Sequence, residues 1–301
     1  MPYKLRSKPT ALRILEFLNK RKKLTNKEKQ HYLNLHRGYE GEILFDNFTE
    51  KLQCECLILN DLLLEVNNTS FQIDCLIITG DKTYLYEVKN YAGDYYYQTD
   101  KLFKKPRLEV INPLHQLSRS EPLLRQLLLP TGFNPQIDAS VVFINPSFTL
   151  YQAPLDKPFI FPTQIKQHMR SINEMPSKLM EKHRKLADRL LSLHLSESPY
   201  NQLPSYEYGQ LRKGIICFKC HSFSVSVKQR ECVCQECGYK ESLTSSVLRI
   251  VKEFEILFPN EKITTNNIHD WCQVVNSKKS IRRILSSNLT AVGSHQWTYY
   301  K

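Results

Sequence analysis

The sequence predicts an α/β protein with a central mixed sheet flanked by helices, followed by a small cysteine-rich segment and a small helical module. Three observations predict this fold class. A helical run, three strand-like runs, a second helical run and a further strand-like run follow one another between residues 26 and 145. Five of the nine cysteines lie between Cys217 and Cys237, and three amphipathic helical runs follow them. A chain of 301 residues is expected to form two or three domains.

Charge is distributed unevenly along the chain. Residues 1–36, predicted as a basic N-terminal helical arm, contain ten Lys/Arg and two Asp/Glu, and residues 212–301 contain fourteen and seven. Two basic ends around a slightly acidic centre suggest a polyanionic partner, most economically nucleic acid. A solubilising surface is the alternative. The sequence contains neither an apolar run long enough to span a membrane nor a secretory signal, so we expect a cytoplasmic protein without a membrane partner.

The predicted core begins with a helical pattern from about Asn26 to Leu52, which Gly38 and Gly41 are expected to interrupt. Strand-like runs with turn residues between them follow at 56–66, 71–79 and 83–91. The later core elements are a hairpin at 94–104, a helix opening at Asn112-Pro113, a strand at 140–145 and two helices within 163–195. A Pro/Ser/Tyr-rich segment at 197–211 is predicted to be a linker.

Aromatic residues are concentrated in the predicted hairpin, where Tyr95, Tyr96 and Tyr97 are consecutive. Aromatic side chains near a nucleic-acid site can stack on nucleotide bases. Packing of the hairpin against the core explains these tyrosines equally well, so both interpretations stay open at this point.

Three charged residues stand in the second and third predicted strands. Glu87 and Lys89 are two residues apart, so they point to one face of their strand, and Asp74 lies in the preceding strand. Buried charges are tolerated chiefly when they are paired or bound to metal, and paired strands lie about 5 Å apart. Asp74 and Glu87 could therefore share one Mg²⁺ or Mn²⁺ ion, with Lys89 orienting or deprotonating the attacking water. A solvated Glu–Lys pair with an unrelated Asp is the alternative.

Four motifs decide between these interpretations: GYEGE (38–42), QIDCLII (72–78), YEVKNYAGDY (86–95) and NPLHQ (112–116). In this order and rough spacing, the segment from about residue 36 to residue 145 resembles the nuclease-related domain, or NERD. It also resembles the wider D…(D/E)-x-K superfamily. The resemblance implies a restriction-endonuclease-like core, within a nuclease-like domain that we place at residues 37–196.

The resemblance also implies roles for individual residues. Glu42 corresponds to the acidic residue on the first core helix, and Gln116 to the polar residue of a later helix that faces the same site. Asp74, Glu87 and Lys89 correspond to the metal-binding and catalytic residues of the strands. We therefore expect all five to be catalytic, with Asp74 and Glu87 as the Mg²⁺ or Mn²⁺ ligands.

The sequence departs from the family pattern at two positions. Cys75 stands where many relatives carry His, and Val88 stands where Thr is frequent, but neither change removes an expected ligand. Judged without the motifs, Glu42 is equally consistent with an exposed helix residue, and Gln116 with a side chain that satisfies a backbone group.

The clustered cysteines indicate a metal site rather than disulfides in a cytosolic protein. Two C-x-x-C pairs with thirteen residues between them are formed by Cys217, Cys220, Cys234 and Cys237. This spacing is typical of a structural Cys₄ zinc site, so residues 212–243 are predicted to form a zinc ribbon that binds Zn²⁺. Cys232 and His221 are competing ligands, and a redox C-x-x-C motif is a further alternative.

Residues 244–301 are predicted to form a small helical module. Helical runs at 245–258, 263–275 and 277–289 precede a strand-like, aromatic end, a pattern that resembles a winged-helix or helix-turn-helix module. The candidate nucleic-acid contacts on or near its third helix are Lys278, Lys279, Arg282 and Arg283. A solvated charged face is the alternative.

Together these features predict a metal-dependent nuclease that hydrolyses phosphodiester bonds, with DNA as the expected partner. A non-catalytic nucleic-acid-binding or regulatory protein that keeps the nuclease fold is the alternative function. A third hypothesis is that the cysteine-rich and helical modules recruit a protein partner.

Overall fold

The computed structural model describes residues 1–132, 134–196 and 203–301. Its α-helices are, in chain order, α1 (Thr10–Arg21), α2 (Asn26–Thr49), α3 (Pro113–Leu128), α4 (Ile165–Glu174), α5 (Glu181–Ser192), α6 (Leu243–Leu257), α7 (Thr265–Cys272) and α8 (Lys278–Asn288). Its β-strands are β1 (Leu57–Val66), β2 (Thr69–Ile78), β3 (Lys82–Lys89), β4 (Gly93–Gln98), β5 (Lys101–Lys104), β6 (Leu108–Val110), β7 (Gln136–Phe143), β8 (Phe148–Tyr151), β9 (Phe159–Ile160), β10 (Val225–Lys228), β11 (Glu231–Cys234), β12 (Lys240–Ser242), β13 (Ala291–Val292) and β14 (Tyr299–Tyr300).

The chain forms two compact units, and each contains two separate stretches of sequence. The first unit comprises Met1–Lys8 and Leu33–Asn201, and the second comprises Pro9–Tyr32 and Gln202–Lys301. The first 36 residues, predicted as a separate arm, are thus divided between the units. Part of the predicted linker, residues 197–202, lies outside the described residues. No helix in the described part of the chain is long and apolar enough to cross a membrane.

A five-stranded sheet with the order β1-β2-β3-β7-β9 forms the centre of the first unit. The β1–β2 and β2–β3 pairs are antiparallel, whereas β3–β7 and β7–β9 are parallel. The predicted mixed sheet in an α/β fold is therefore confirmed. Apolar residues of α3 and α5 pack on one face of the sheet, and those of α2 and α4 pack on the other. Because both faces are covered, β3 is buried along most of its length.

Helix α2 is continuous, so the prediction that Gly38 and Gly41 interrupt it was wrong. A helical glycine costs roughly 1 kcal/mol relative to alanine, which tertiary packing can outweigh. At Gly41 the packing is visible, because an added Cβ would lie 2.5 Å from Cβ of Asn90 and 3.2 Å from Cγ2 of Ile144. Asn90 directly follows β3, so the glycine lets α2 approach the end of that strand closely.

The N-terminal segment of the first unit lies along the edge of the sheet. The backbone N–H of Tyr3 donates to the Ile58 carbonyl at 2.8 Å, and that of Asn60 donates to the Lys4 carbonyl at 3.1 Å. These bonds cover the free edge of β1, which would otherwise expose unpaired backbone groups. They also fix the backbone two residues before Arg6.

A second sheet of the first unit, with the order β6-β5-β4-β8, includes the predicted aromatic hairpin. Tyr95 and Tyr97 are buried in the core, as the packing interpretation expects. Tyr96 lies between them on the strand, and its ring stacks on Phe103 with centroids 5.0 Å apart. Base stacking is therefore excluded as the role of Tyr95 and Tyr97 in this arrangement.

Helix α1 is part of the core of the second unit. Its last residue, Arg21, is buried and forms an ion pair with the equally buried Glu253 of α6. The guanidinium group also donates to the carbonyl oxygens of Arg212 and Gly214 and lies 4.3 Å from the ring centroid of Trp271. A guanidinium group as buried as that of Arg21 requires such partners. Helix α1 and the C-terminal elements therefore stabilise one another.

The remaining elements of the second unit are a small sheet and a group of helices. Strands β10, β11 and β12 form an antiparallel sheet. Helices α6, α7 and α8 contribute to one apolar core, which also includes residues of α1. Strand β13 pairs with β14, and Ile263 forms a further antiparallel bridge with Tyr300. The three helices lie close to the helical runs predicted from sequence.

The close approach at Gly41 generates a prediction. Gly41→Ala should lower the free energy of unfolding of the first unit by about 1–3 kcal/mol, because the new methyl group overlaps the position of Asn90. Gly38→Ala is the matched control in the same helix, and it should raise stability by about 0.5–1 kcal/mol since no atom lies within 4 Å of its added Cβ. Urea denaturation measures both. Equal stabilities of the two variants would contradict the assigned contact.

Candidate active site and metal centre

The candidate active site begins where β2 and β3 stop pairing. The last paired residues of this ladder are Cys75 and Tyr86. Beyond them, the Asp74 carboxylate accepts a 2.7 Å hydrogen bond from the backbone N–H of Val88. The Asp74 side chain thus accepts the hydrogen bond from this β3 backbone N–H, which a strand carbonyl would accept if the ladder continued. Asp74 is buried and lies directly beside the strand that carries Glu87 and Lys89.

Glu87 and Lys89 project from one face of β3. The Lys89 ammonium lies 2.6 Å from Oε1 of Glu87 and donates a 2.6 Å hydrogen bond to Oε1 of Gln116 on α3. Asn112 caps α3 by accepting a hydrogen bond from the backbone N–H of Leu114, which fixes the first turn of the helix near Gln116. Three of the residues predicted from sequence are therefore in direct contact.

A second group of charges is centred on Arg6. Its guanidinium group donates to both carboxylate oxygens of Asp46 at 2.8 and 3.0 Å and to Oε2 of Glu42 at 2.6 Å. It also donates to the backbone carbonyl of Asp74 at 2.7 Å. Asp74 therefore connects the two groups, since its backbone contacts Arg6 and its carboxylate contacts β3.

Burial and crowding of carboxylates raise several pKa values here. Burial, reinforced by the charge of Asp74, raises the pKa of Glu42 to about 8 and that of Glu87 to about 7. The pKa of Asp74 is also raised, mainly by burial. Burial lowers the pKa of Lys89, but the charges of Glu87 and Asp74 outweigh it and leave the pKa above its ordinary value. Lys89 is therefore an ammonium group at neutral pH.

The charge balance of the site fits a divalent cation. Four carboxyl groups, those of Glu42, Asp46, Asp74 and Glu87, face the two cations Arg6 and Lys89. With all four ionised the group carries an excess of two negative charges, whereas at neutral pH the raised pKa of Glu42, about 8, leaves that carboxyl mostly protonated. Carboxylate oxygens are the ligands that Mg²⁺ and Mn²⁺ prefer. Among the described residues, no three of these carboxylates have oxygens within 4.8 Å of one another. An ion at this position would therefore be held directly by at most two of these carboxylates, with water completing its coordination.

Sequence reasoning missed two residues of the site. Asp46 follows Glu42 by four residues on α2, so helical spacing alone places both on one face and could have identified it. Arg6 carries no comparable signal, because its contacts lie 36, 40 and 68 residues away along the chain.

The cysteines of the second unit form a separate candidate metal centre. The Sγ atoms of Cys217, Cys220, Cys234 and Cys237 all lie within 4.8 Å of one another. The backbone N–H of Cys237 is the main cause that lowers the pKa of the Cys234 thiol, to about 7, which favours the thiolate that metals bind. These four residues could hold a metal ion such as zinc, as predicted. Cys232 and His221, the competing ligands, are outside the cluster.

The four basic residues predicted to contact nucleic acid are exposed on α8. The Lys278 ammonium donates to the Asn266 side chain at 3.0 Å. Lys279, Arg282 and Arg283 have no ion-pair partner in the part of the chain that the structure describes. The opposite side of the helix is apolar and buried through Ile281, Ile284 and Leu285. The basic face is thus available to solvent because the apolar face anchors the helix.

Comparison with known proteins identifies part of the first unit. The family model of the nuclease-related domain, NERD, matches residues 37–144. No curated protein and no solved structure matches the chain. The matched segment contains all five predicted catalytic residues, whereas Arg6 and the cysteine cluster lie outside it. The match supports a nuclease-like function and a nucleic-acid substrate in general.

The cysteine cluster generates a prediction about metal content. The purified chain should contain one tightly bound metal ion, measured by inductively coupled plasma mass spectrometry, and Cys234→Ser should lose it because a Cys₄ site needs all four thiolates. Cys232→Ala is the control on the same strand, and it should keep the ion. Retention of the ion by Cys234→Ser, or its loss from Cys232→Ala, would contradict the ligand set.

Proposed function

We propose that the chain is a metal-dependent nuclease that hydrolyses phosphodiester bonds in DNA. The observation that carries this proposal is that the buried Asp74 carboxylate is bound to the backbone N–H of Val88, between the buried Glu87 and its ion-pair partner Lys89. A purely structural sheet would place apolar residues there, since buried carboxylates are costly without a partner. The NERD match over the same residues supports this interpretation.

In the proposed mechanism, Asp74 and Glu87 are the residues that would hold Mg²⁺ or Mn²⁺. When bound, such an ion supplies Lewis-acid polarisation of a phosphoryl oxygen and lowers the pKa of a coordinated water. The Lys89 ammonium orients the attacking water and stabilises negative charge that develops at the scissile phosphate. Its raised pKa disfavours the general-base role that the sequence left open.

The two neighbouring polar residues have supporting roles in this proposal. Gln116 accepts a hydrogen bond from the Lys89 ammonium and so keeps it aimed at the site. Glu42 adds a further carboxyl group from α2, whose pKa is raised first by burial and second by the charge of Asp74. A metal cation bound beside these carboxylates would offset their mutual repulsion. For this reason the carboxylates favour metal-dependent chemistry.

We also propose that the second unit binds duplex DNA. Helices α6, α7 and α8 followed by the β13–β14 pair, with Ile263 bridging to Tyr300, have the element order of a winged helix. A groove of about 480 Å³ between α8 and the β13–β14 connection is lined by Lys278, Lys279 and Arg282. Basic side chains around such a groove suit phosphate contacts. The cysteine-rich sheet of the same unit is proposed to be a zinc ribbon.

Variants of the site residues test the catalytic proposal. Asp74→Ala should abolish plasmid cleavage in Mg²⁺ or Mn²⁺ because it removes a proposed ligand, and Lys89→Ala should lower kcat/KM by about 10²–10³-fold. Initial rates of plasmid nicking, with the metal concentration varied, measure both effects.

Two matched controls accompany these variants. Asp94→Ala changes an exposed carboxylate on β4, and Lys82→Ala changes a lysine at the other end of β3, so both should cleave like the wild type. Cleavage by Asp74→Ala at the wild-type rate would indicate a contaminating nuclease. DNA binding without cleavage in any divalent ion would favour the non-catalytic alternative.

Salt dependence tests the DNA-binding proposal. Alanine at Lys279, Arg282 and Arg283 together should weaken duplex binding and reduce the slope of log Kd against log salt by about 0.9 for each phosphate that the variant no longer neutralises. Lys252→Ala on α6 is the control, since this exposed lysine is on a different helix. Fluorescence anisotropy over a salt series measures the slope, and an unchanged slope in the triple variant would assign binding to another surface.

A further inference from the structure

We propose that Arg6 is a positioning residue of the candidate active site and holds Glu42 and Asp74 in place through one guanidinium group. This inference rests on the proposed nuclease function and extends it beyond the segment that matches the nuclease-related domain. Arg6 belongs to the N-terminal segment that is hydrogen-bonded to β1, a part of the chain whose sequence carries no motif.

The contacts of Arg6 involve every nitrogen of its guanidinium group. Nε and Nη2 donate to the two carboxylate oxygens of Asp46, which fixes the plane of the group. Nη1 then donates to Glu42 at 2.6 Å, and Nη2 also donates to the backbone carbonyl of Asp74 at 2.7 Å. One planar group therefore ties α2 to β2. The side chain is 1% exposed, so water does not compete for these bonds.

The partners of Arg6 indicate that this residue does more than form a structural ion pair. A bidentate pair with Asp46 alone would neutralise the buried guanidinium. The two additional bonds go to residues of the candidate active site. The Arg6 bond to the Asp74 carbonyl and the Val88 bond to the Asp74 carboxylate hold that residue at both ends. Displacing Arg6 would therefore let the proposed metal ligand turn.

Lysine cannot reproduce this arrangement, because an ammonium group lacks the planar fork that reaches four acceptor atoms of three residues in fixed directions. Arg6→Lys keeps the net charge of the site and changes only its geometry. The pair Arg6→Gln with Asp46→Asn also keeps the net charge, and it removes both members of the bidentate pair, although Glu42 then loses its ion-pair partner. A change in Mn²⁺ binding or in cleavage that both variants share would therefore result from altered geometry and not from altered net charge.

The experiment compares the full-length wild type with both variants and with Arg107→Lys, a control at an exposed arginine outside the site. Mn²⁺ binding is measured by electron paramagnetic resonance, plasmid cleavage by steady-state kinetics, and folding by circular dichroism. We expect each variant to bind Mn²⁺ roughly 10–100-fold more weakly and to lose kcat by a similar factor. KM for DNA should stay within about twofold, since Arg6 is buried away from the polymer.

The outcomes separate this inference from the proposed function. Variants that are folded, bind Mn²⁺ and cleave like the wild type would overturn the role of Arg6 and leave the nuclease proposal intact. A wild type that binds Mn²⁺ without cleaving would overturn the nuclease proposal, while weaker Mn²⁺ binding in the variants would still support positioning. A wild type that neither binds Mn²⁺ nor cleaves would overturn both. If Arg6→Lys does not fold, the double variant Arg6→Gln with Asp46→Asn alone tests the role of Arg6.

Discussion

The burial of negative charge around Asp74 constrains the first unit more than any other interaction. An ionised carboxylate inside a protein is costly unless cations or hydrogen bonds compensate for the lost water. Arg6 and Lys89 reach this point from distant parts of the chain, and Gly41 lets α2 approach the strand closely. The edge segment on β1, the close packing of α2 and the position of α3 all contribute to holding these groups together.

The second unit also contains a buried charge that needs compensation, and its partners differ from those around Asp74. Its buried Arg21–Glu253 pair joins α1 to α6, and its clustered thiols suit a metal ion. The ion pair joins segments 232 residues apart in sequence, whereas the thiols join two turns within 21 residues. A metal-ligand set and a buried ion pair impose strict geometry, so they specify one arrangement of these elements more strongly than apolar contacts alone.

Local patterns allowed much of this architecture to be predicted. Alternation in β3 placed Glu87 beside Lys89, cysteine spacing located the thiol cluster, and turn residues separated the strands correctly. Two kinds of information were missing from local sequence. The continuity of α2 depends on packing at Gly41, which no propensity scale includes. The contacts of Arg6 and Arg21 span up to 232 residues, and no periodicity connects positions so far apart.

The place of α1 in the second unit has a consequence during synthesis. Ile14 and Leu18 are covered in the finished protein by a core that includes Val247 and Ile250. A ribosome adding about 5–20 residues per second completes α6 roughly 10–50 seconds after α1 has emerged. Throughout that interval the apolar side of α1 lacks the α6 residues that bury it in the folded protein.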